Sequence, residues 1–286
     1  MEDKAKKYDY SLINKKVDKI IKISTSYLIS IDKKYIEEQI MKAYIFARDA
    51  HEWQIRLSWD PYIIHPVEAT LILLDLKPDL ITIQACLLHD VAEDTEKNLD
   101  DIEKEFWIEV KNICAWMEKL SKVRYIWEDR SIWSLRKMFV AMSDDLRVIF
   151  VKLSDRLHNM RTLKYHPKKE KVERISLETL NIYAPIADRL WLHKIKNLLD
   201  EECFKMLNPK EYRNVKRQLQ DSSEAINNFK KNAQIEIDNV LKWTDTKYTL
   251  DFRVKSIYSI YKKMKRKWYE DINDLYDIYW IKILVD

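Results

Sequence analysis

Apolar residues recur three and four positions apart along most of the chain, from about Ile13 to Leu207, with short polar breaks between the apolar runs. This spacing is typical of amphipathic helices, because a helix brings residues at those intervals onto one face. No alternating, strand-like run occurs in this part of the chain. The pattern therefore predicts an all-helical domain, with helices in YIEEQIMKAYIFARDAHE, HPVEATLILLDL, DLITIQACLLHDVAEDT, SDDLRVIFVKLSDRLHNMRTL and SLETLNIYAPIADRL.

The pattern changes after Leu207. One long charged helix is predicted from about Lys210 to Lys242, and KYTLDFRV then alternates as a strand does. SIYSIYKKMKRK is typical of a basic amphipathic helix, and DIYWIKILVD of a buried strand that continues to the last residue. Because that strand has no partner after it, we expect this second, α/β segment to be incomplete. The predicted fold class is mainly α, with an incomplete α/β segment at the end.

Composition and charge narrow the functional class. With 47% hydrophobic and 34% charged residues, the chain can bury a sizeable core, which argues against a disordered protein. Lys and Arg number 51 and Asp and Glu 47, and the net charge of +4 does not suit a protein that coats DNA or a membrane. The start, MEDKAKKYDY, has no signal-peptide pattern and no run approaches the roughly 18 apolar residues of a membrane span. We therefore expect a cytoplasmic protein.

The three cysteines do not form a recognisable framework. They are odd in number and widely spaced, so neither a disulfide scaffold nor a zinc knuckle is favoured. Reduced thiols in the core are the expected state of all three: Cys86, Cys114 and Cys203.

The strongest chemical signal follows the apolar run ACLL, where LLHDVAEDT brings four ionisable side chains together. On a helix, Glu93 lies one turn after His89. Asp94 lies one turn after Asp90, so all four groups occupy adjoining faces. A divalent cation would offset this charge, and imidazole with carboxylates suits Mn²⁺, Fe²⁺, Zn²⁺ or Co²⁺ rather than a structural zinc site. His-Asp pairs also arise by chance at helix caps and on acidic surfaces, so this motif alone leaves both interpretations open.

Two further segments favour a metal site. In PYIIHP, prolines on both sides of His65 restrict the backbone and predict a rigid, semi-exposed imidazole. A histidine that starts a helix and binds nothing is the alternative. In KLSDRLHNMRTL, Asp155 is either a ligand or the ion-pair partner of a neighbouring base: Lys152, Arg156 or Arg161. The order His, then His-Asp, then Asp matches the pattern of metal-dependent HD phosphohydrolases.

Longer stretches give a narrower resemblance. AYIFARDAHEWQIRLSWDPYIIHPVEA, LLHDVAEDT, LRKMFVAMSDDLRVIFVKLSDRLHNMRTL and ETLNIYAPIADRLWLHKIKNLLDE resemble the hydrolase half of the RelA/SpoT homologue family of alarmone enzymes, over roughly residues 35–210. FRVKSIYSIYKKMKRK and DINDLYDIYWIKILVD look like the opening of the same family's synthetase domain. The resemblance implies an HD hydrolase domain at 1–170, connecting helices at 171–210 and an incomplete, nucleotidyltransferase-like synthetase segment at 211–286.

The resemblance also implies a reaction and a set of site residues. The reaction is Mn²⁺-dependent removal of the 3′-pyrophosphate from ppGpp or pppGpp in the stringent response, giving GDP or GTP and pyrophosphate. The implied ligands of one Mn²⁺ ion are His65, His89, Asp90 and Asp155. The acidic pair that positions and deprotonates water is Glu93 and Asp94. The implied nucleotide contacts are Arg56 beside the base, Ser58 in the same loop, and Asn159 and Thr162 on the sugar side.

Some residues depart from the pattern or carry no implied role. Leu57 stands where many relatives have a second basic residue, which affects the expected base contacts. His51 and His158 lie inside the motifs, and we expect them to pack or cap. Asp277 matches a Mg²⁺-binding aspartate of the synthetase domain, but the rest of that site is absent before Asp286. Synthesis by this chain is therefore not expected, and ribosome or regulator contacts are expected only in a longer natural chain.

Two alternatives remain open from the sequence. One is an HD hydrolase of another nucleotide, which an assay with dNTPs and cyclic dinucleotides beside ppGpp separates. The other is a non-catalytic, alarmone-binding regulatory fragment, whose properties need not change when His89 or Asp90 is replaced by alanine.

Glycine is absent, although a chain of 286 residues at the usual frequency has about 20. Tryptophan occurs ten times. Several of these tryptophans stand where the resembling family has glycine or another small residue: Trp53, Trp59, Trp107, Trp116, Trp191, Trp268 and Trp280. This pattern predicts a gene in which UGA encodes glycine but was translated as tryptophan.

Overall fold

A computed structural model of the chain describes residues 9–121, 140, 143–241, 243 and 247–285. The chain forms two compact units, Met1–Leu199 and Asp200–Asp286. Their boundary lies within the segment 171–210 that the sequence predicts as connecting helices. Within the described ranges, no helix combines the length and apolar character that crossing a membrane requires.

The first unit is helical, as the apolar spacing predicts. Its helices are α1 Ser11–Tyr27, α2 Lys33–Ala50, α3 Ile64–Leu73, α4 Leu80–Leu88, α5 Val91–Asp94, α6 Leu99–Glu105, α7 Ile108–Ser121, α8 Leu146–Thr162, α9 Lys169–Glu178 and α10 Ala184–Arg189. A helix α11, His193–Leu207, spans the unit boundary. Four of these helices have an N-cap residue whose side chain accepts a hydrogen bond from a backbone N–H of the first turn, which stabilises the start of a helix. These residues are Asp32, Asp79, Asn98 and Asp145.

Helix α4 lies at the centre of this unit. Seven of its nine residues, Thr82 to Leu88, form a continuous buried run. It packs against α2, α3 and α7, and α3 packs in turn against α8. Burial on all sides accounts for an apolar run with almost no polar face. Because α4 ends at Leu88, the residues that follow it emerge directly from the core.

The second unit contains a small sheet. Its elements after α11 are α12 Pro209–Asp221, α13 Ser223–Leu241, β1 Tyr248–Val254, α14 Ile257–Lys267 and β2 Tyr279–Val285. The two strands are antiparallel, with Tyr248 opposite Val285 and Val254 opposite Tyr279. A small core holds them against α12 and α14: Val215, Ile260, Met264, Ile272, Leu275 and Ile278.

Two expectations about this unit are wrong. The predicted single helix from Lys210 to Lys242 is two helices, separated at Ser222, whose hydroxyl donates to the Gln218 carbonyl at 3.0 Å. Serine competes in this way with backbone bonds and weakens a helix interior. The final strand is not buried, because Ile283, Leu284 and Val285 are exposed. Among the described residues its sheet has only two strands and no further layer covers this end.

The three cysteines are buried, as expected of core thiols, and no disulfide joins any of the described residues.

Candidate active site

Three segments that are far apart in the chain bring their polar side chains to one place. Helix α3 contributes His65, the end of α4 is followed by His89, and α8 contributes Asp155. Each offers one ligand atom, and these atoms lie within 4.8 Å of one another. Asp90 is the fourth member, with Oδ1 3.1 Å from Nε2 of His89 and Oδ2 3.4 Å from Nε2 of His65.

The donor set fits a divalent cation. Nε2 of His89 is buried and makes no hydrogen bond with any described residue. Oδ1 of Asp155 lies 3.2 Å from Nε2 of His65 and 3.9 Å from Nε2 of His89. Two imidazole nitrogens and two carboxylates, without a thiolate, are ligands that Mn²⁺, Fe²⁺, Co²⁺ and Zn²⁺ accept. A bound cation would also offset two buried negative charges.

The helix through the motif is interrupted, contrary to the continuous helix that the sequence predicts. Helix α4 ends at Leu88, and the short helix α5 starts at Val91. The His89 ring nitrogen Nδ1 donates to the carbonyl of Cys86 at 2.7 Å. That bond satisfies an acceptor at the helix end and leaves Nε2 directed into the site. The interruption therefore orients the histidine of the motif.

The prediction that His65 is semi-exposed is wrong. Its relative exposure is 1%, because α3 packs this residue against α8. The ring of His158 lies tilted beside it, and the two Nδ1 atoms share a hydrogen bond at 2.6 Å. Burial, together with the charges of His65 and Arg56, lowers the pKa of His158 to about 2. A neutral His158 thus holds the His65 ring through this hydrogen bond, which is more than the packing or capping role expected from the sequence.

Lys152 contacts Asp155 from the preceding turn of α8. Its Nζ lies 3.0 Å from Oδ2 of Asp155, and both side chains are almost fully buried. Burial alone would raise the pKa of Asp155, but the Lys152 ammonium and a hydrogen bond from His65 hold it well below its usual range. Asp155 is therefore both an ion-pair partner and a member of the cluster, so the two interpretations of the sequence are compatible.

The acidic pair lies beside the cluster on α5. The hydroxyl of Tyr62 lies 2.7 Å from Oδ2 of Asp94 and 2.9 Å from Oδ2 of Asp90. Burial and these two carboxylates raise the pKa of Tyr62, so its hydroxyl keeps its proton and donates. Glu93 is exposed; partial desolvation of its carboxyl group and the charge of Asp90 raise its pKa, against the lowering effect of a hydrogen bond with Ser121.

The predicted nucleotide residues face a cleft of about 530 Å³ next to the cluster. A nitrogen of the Arg56 guanidinium lies 3.1 Å from Oδ1 of Asn159 and 3.3 Å from the Thr162 hydroxyl. Ser58 also lines the cleft, and its hydroxyl donates to Asp60 at 2.7 Å. Three further cationic side chains line it: Lys152, Arg156 and Lys171. The volume suits a small-molecule ligand and the charge suits an anionic one.

Asp277 lies in the second unit and is not part of this cluster. Its carboxylate pairs with Lys255 and Lys263 at the surface. Hydrogen bonds from those two ammonium groups lower the pKa of Asp277 to about 2. A role in a synthetase Mg²⁺ site stays a prediction.

Comparison with known proteins identifies the family to which this chain belongs. A family model described as HD domain matches residues 43–191, a little over half of the chain, and spans all four members of the cluster. The chain belongs to the HD-domain family. As an HD-domain protein it is expected to carry a divalent metal site, and the His65, His89 and Asp155 cluster is the group that can hold one.

This HD-domain chain is also similar to curated proteins. It is 40% identical over 253 residues to a guanosine-3′,5′-bis(diphosphate) 3′-pyrophosphohydrolase of Vibrio cholerae, covering 87% of this chain and 35% of that protein. It is 39% identical over 251 residues to the bifunctional (p)ppGpp synthase/hydrolase SpoT of Escherichia coli, with the same coverage. A GTP pyrophosphokinase of Streptomyces coelicolor is 40% identical over 248 residues, with 87% and 29% covered. The chain thus spans about a third of the length of the relatives that it matches.

Sequence reasoning missed one residue of this HD-domain site, Tyr62, and named Lys152 only as one of three possible ion-pair partners of Asp155. Tyr62 precedes His65 by three residues, in the turn that leads into α3, where the His65 N–H donates to the Tyr62 carbonyl at 2.9 Å. Its hydroxyl, which contacts Asp90 and Asp94, belongs with His65 to the two polar side chains of PYIIHP. Lys152 precedes Asp155 by three residues on α8, a spacing that favours an ion pair. Its burial beside a ligand had no signal in the sequence.

Proposed function

We propose that this chain hydrolyses the 3′-pyrophosphate of ppGpp and pppGpp, giving GDP or GTP and pyrophosphate, in the stringent response. The observation that carries the proposal is the convergence of two histidines and two aspartates at the end of a cationic cleft. The names of the similar proteins from Vibrio cholerae and Escherichia coli support the choice of substrate. A guanine nucleotide substrate would place the activity in the cytoplasm.

Mn²⁺ is the cation that we propose for the cluster, held by His65, His89, Asp90 and Asp155. When bound, such an ion lowers the pKa of a water molecule and neutralises phosphate charge. The remaining roles belong to side chains of the chain itself.

The acidic pair supplies the proton acceptor. The raised pKa of Glu93 suits a proton acceptor, so we assign it the proton of the attacking water. Asp94, fixed by the Tyr62 hydroxyl, orients that water. The water oxygen bonds to the phosphorus next to the ribose, the bond from that phosphorus to the 3′ oxygen breaks, and the proton finally goes to the 3′ oxygen.

The cleft supplies binding. Arg56 is tethered to Asn159 and Thr162, which gives it a fixed place at the cleft wall. In our proposal Arg56 and Ser58 hold the base side of the nucleotide, and Asn159 and Thr162 hold the sugar. The cationic residues Lys152, Arg156 and Lys171 face the cleft and offset the charge of the pyrophosphate.

A substrate panel tests the assignment. Purified chain with Mn²⁺ is incubated separately with ppGpp, pppGpp, a dNTP and a cyclic dinucleotide, and the products are separated by ion-exchange chromatography. We expect GDP and GTP from the first two compounds and no product from the others. Turnover of a dNTP or cyclic dinucleotide with ppGpp left intact would indicate an HD hydrolase of another nucleotide. Binding of ppGpp without any turnover would indicate a regulatory fragment.

A further inference from the structure

Tryptophan occupies most of the left-handed backbone positions of this chain. Among the described residues, five non-glycine residues have positive φ, and Lys77, at 50°, is the one that is not tryptophan. A bulky side chain in this region is unusual, because its Cβ approaches the backbone carbonyl. Glycine has no Cβ and adopts the region freely. The other four are Trp53 at 72°, Trp59 at 69°, Trp191 at 59° and Trp268 at 60°.

Two of these tryptophans stand at a helix end where glycine is the usual residue. At the end of helix α10, the backbone N–H of Trp191 donates to the carbonyl of Asp188 at 3.0 Å. The backbone N–H of Leu192 donates to the carbonyl of Ala187 at 2.9 Å. This pair of bonds, with a left-handed residue between them, defines a Schellman motif, in which glycine is favoured at the left-handed position.

Helix α14 ends in the same way. The backbone N–H of Trp268 donates to the carbonyl of Lys265 at 3.4 Å, and the backbone N–H of Tyr269 donates to the carbonyl of Met264 at 3.0 Å. The backbone geometry at residue 268 thus matches that at residue 191, although the two helices lie in different units and share no sequence around the motif.

Packing does not compensate for these backbone conformations. A tryptophan normally buries most of its large ring. The relative exposures here are 63% for Trp53, 85% for Trp59, 80% for Trp191 and 91% for Trp268. The four indoles therefore combine a disfavoured backbone with little contact to the protein.

We infer that the protein made in its own cell carries glycine at residues 53, 59, 191 and 268. The chain with the sequence as printed, called the written chain below, has tryptophan there because UGA codons that this cell reads as glycine were translated as tryptophan. The same codon reading accounts for ten tryptophans beside no glycine in 286 residues. Four of the eight tryptophans in the described ranges are left-handed, a fraction that chance placement of a bulky residue does not give.

The inference changes the loop that carries Arg56 and Ser58. Trp59 closes a tight turn, in which its N–H donates to the Arg56 carbonyl at 2.9 Å and the Arg56 N–H donates to Asp60 at 2.9 Å. Glycine forms the same turn without the Cβ conflict and without an exposed indole next to the cleft. The natural loop is therefore less strained and more open than the loop with tryptophan.

The coding DNA is the primary test. TGA at the codons for residues 53, 59, 191 and 268 supports the inference, and TGG at those codons overturns it. Mass spectrometry of tryptic peptides from protein isolated from the source cells is an independent readout. Peptides with the mass of glycine at these positions are expected, and peptides with the mass of tryptophan contradict the inference.

A stability comparison tests the physical argument on the purified chain. Trp191→Gly and Trp268→Gly are each expected to raise Tm by about 2–4 °C, because the left-handed strain is removed. Lys77→Gly is the matched control, because Lys77 has the same left-handed backbone and a side chain other than tryptophan. If backbone strain is the cause, this variant raises Tm as well. A lower Tm for both tryptophan variants would contradict the argument from backbone conformation.

The inference does not depend on the proposed function. The written chain and a Trp59→Gly variant can be compared for ppGpp turnover. Loss of turnover in both, with TGA codons in the gene, counts against the proposed hydrolase and leaves the glycine assignment intact.

Discussion

The hydroxyl of Tyr62 lies 2.7 Å from the Asp94 carboxylate and links the segment before α3 to the acidic pair on α5. It lies 2.9 Å from Asp90 as well, so one hydroxyl lies between a proposed metal ligand and the residue that we propose to orient water. Tyr62 also lies under the Arg56 guanidinium, which is 5.5 Å from the centre of its ring. This side chain therefore connects the proposed chemical and nucleotide-binding parts of the site.

Replacement of Tyr62 by phenylalanine tests that connection. The ring remains and continues to stack on His51, but the one hydroxyl proton shared between the Asp90 and Asp94 carboxylates is lost. We expect kcat to fall by about 10–100-fold, with a small change in KM for ppGpp, because groups that orient ligands have effects of this size. Steady-state kinetics with ppGpp measures both constants. Tyr35→Phe, at an exposed position, is the control, and an unchanged kcat in Tyr62→Phe would contradict the role.

Replacement of Lys152 by methionine removes the ion-pair partner of Asp155 and leaves a buried carboxylate without its counter-charge. We expect the free energy of unfolding of the metal-free protein to fall by about 3–5 kcal/mol, as when one partner of a buried pair is removed. Urea unfolding of the metal-free protein measures the change. Lys164→Met, on an exposed residue, is the control. An equal stability of the variant and the parent chain would show that Lys152 does not balance Asp155.

Replacement of Arg56 tests whether the cleft binds the nucleotide as proposed. Arg56→Ala removes the contacts to Asn159 and Thr162 and is expected to raise KM for ppGpp by about tenfold, equivalent to about 1.4 kcal/mol. Because the metal cluster is not altered, Mn²⁺ affinity should remain unchanged. Arg161→Ala, an exposed arginine on α8, is the matched control. A loss of Mn²⁺ binding with no change in KM would place Arg56 in a structural role.

The contribution of Asp145 to the stability of the protein is expected to depend on pH. Its carboxylate caps α8 and pairs with Arg147, and the pKa of Asp145 is lowered from 3.8 because these contacts outweigh the effect of burial. A lowered folded pKa stabilises the protein above 3.8, and the stabilisation is lost as pH falls through the folded pKa. Asp145→Ala should therefore cost about 1 kcal/mol near neutral pH and progressively less below 3.8.

Urea unfolding across that pH range measures the effect. Asp145→Asn is the matched variant, because asparagine keeps a capping oxygen and removes only the charge. A cost of Asp145→Ala that is the same at every pH would contradict the charged cap.

The sequence predicts the helices of the first unit because each buries one face, and that face has a regular spacing. It also names the four side chains that the structure brings together, His65, His89, Asp90 and Asp155, since their order and types match the HD pattern; their role as ligands of a metal stays a prediction. It does not predict the helix break at His89, which depends on a hydrogen bond from the ring to Cys86. Nor does it predict the burial of His65, which depends on the packing of α8 against α3. The burial of His65 arises from a contact between segments that are distant in the chain, and the break at His89 arises beside a local hydrogen bond that the apolar spacing does not reveal.

The break at Ser222 and the exposure of β2 show the same limit. A continuous amphipathic pattern does not reveal that one helix ends at Asp221 and the next begins at Ser223. The apolar residues of β2 suggest burial, yet burial requires a neighbouring layer, and the pattern of one strand carries no information about that layer.

The measurement that tests the central claim most directly is the release of pyrophosphate from ppGpp. The written chain and its Trp59→Gly variant are assayed with Mn²⁺, then after chelation, and again after Mn²⁺ is restored; His89→Ala is assayed beside them, with the exposed His193→Ala as control. We predict equal amounts of GDP and pyrophosphate, formed only while Mn²⁺ is present and abolished in His89→Ala but not in His193→Ala. Release of orthophosphate instead of pyrophosphate, or turnover that persists without a divalent cation, would contradict the account.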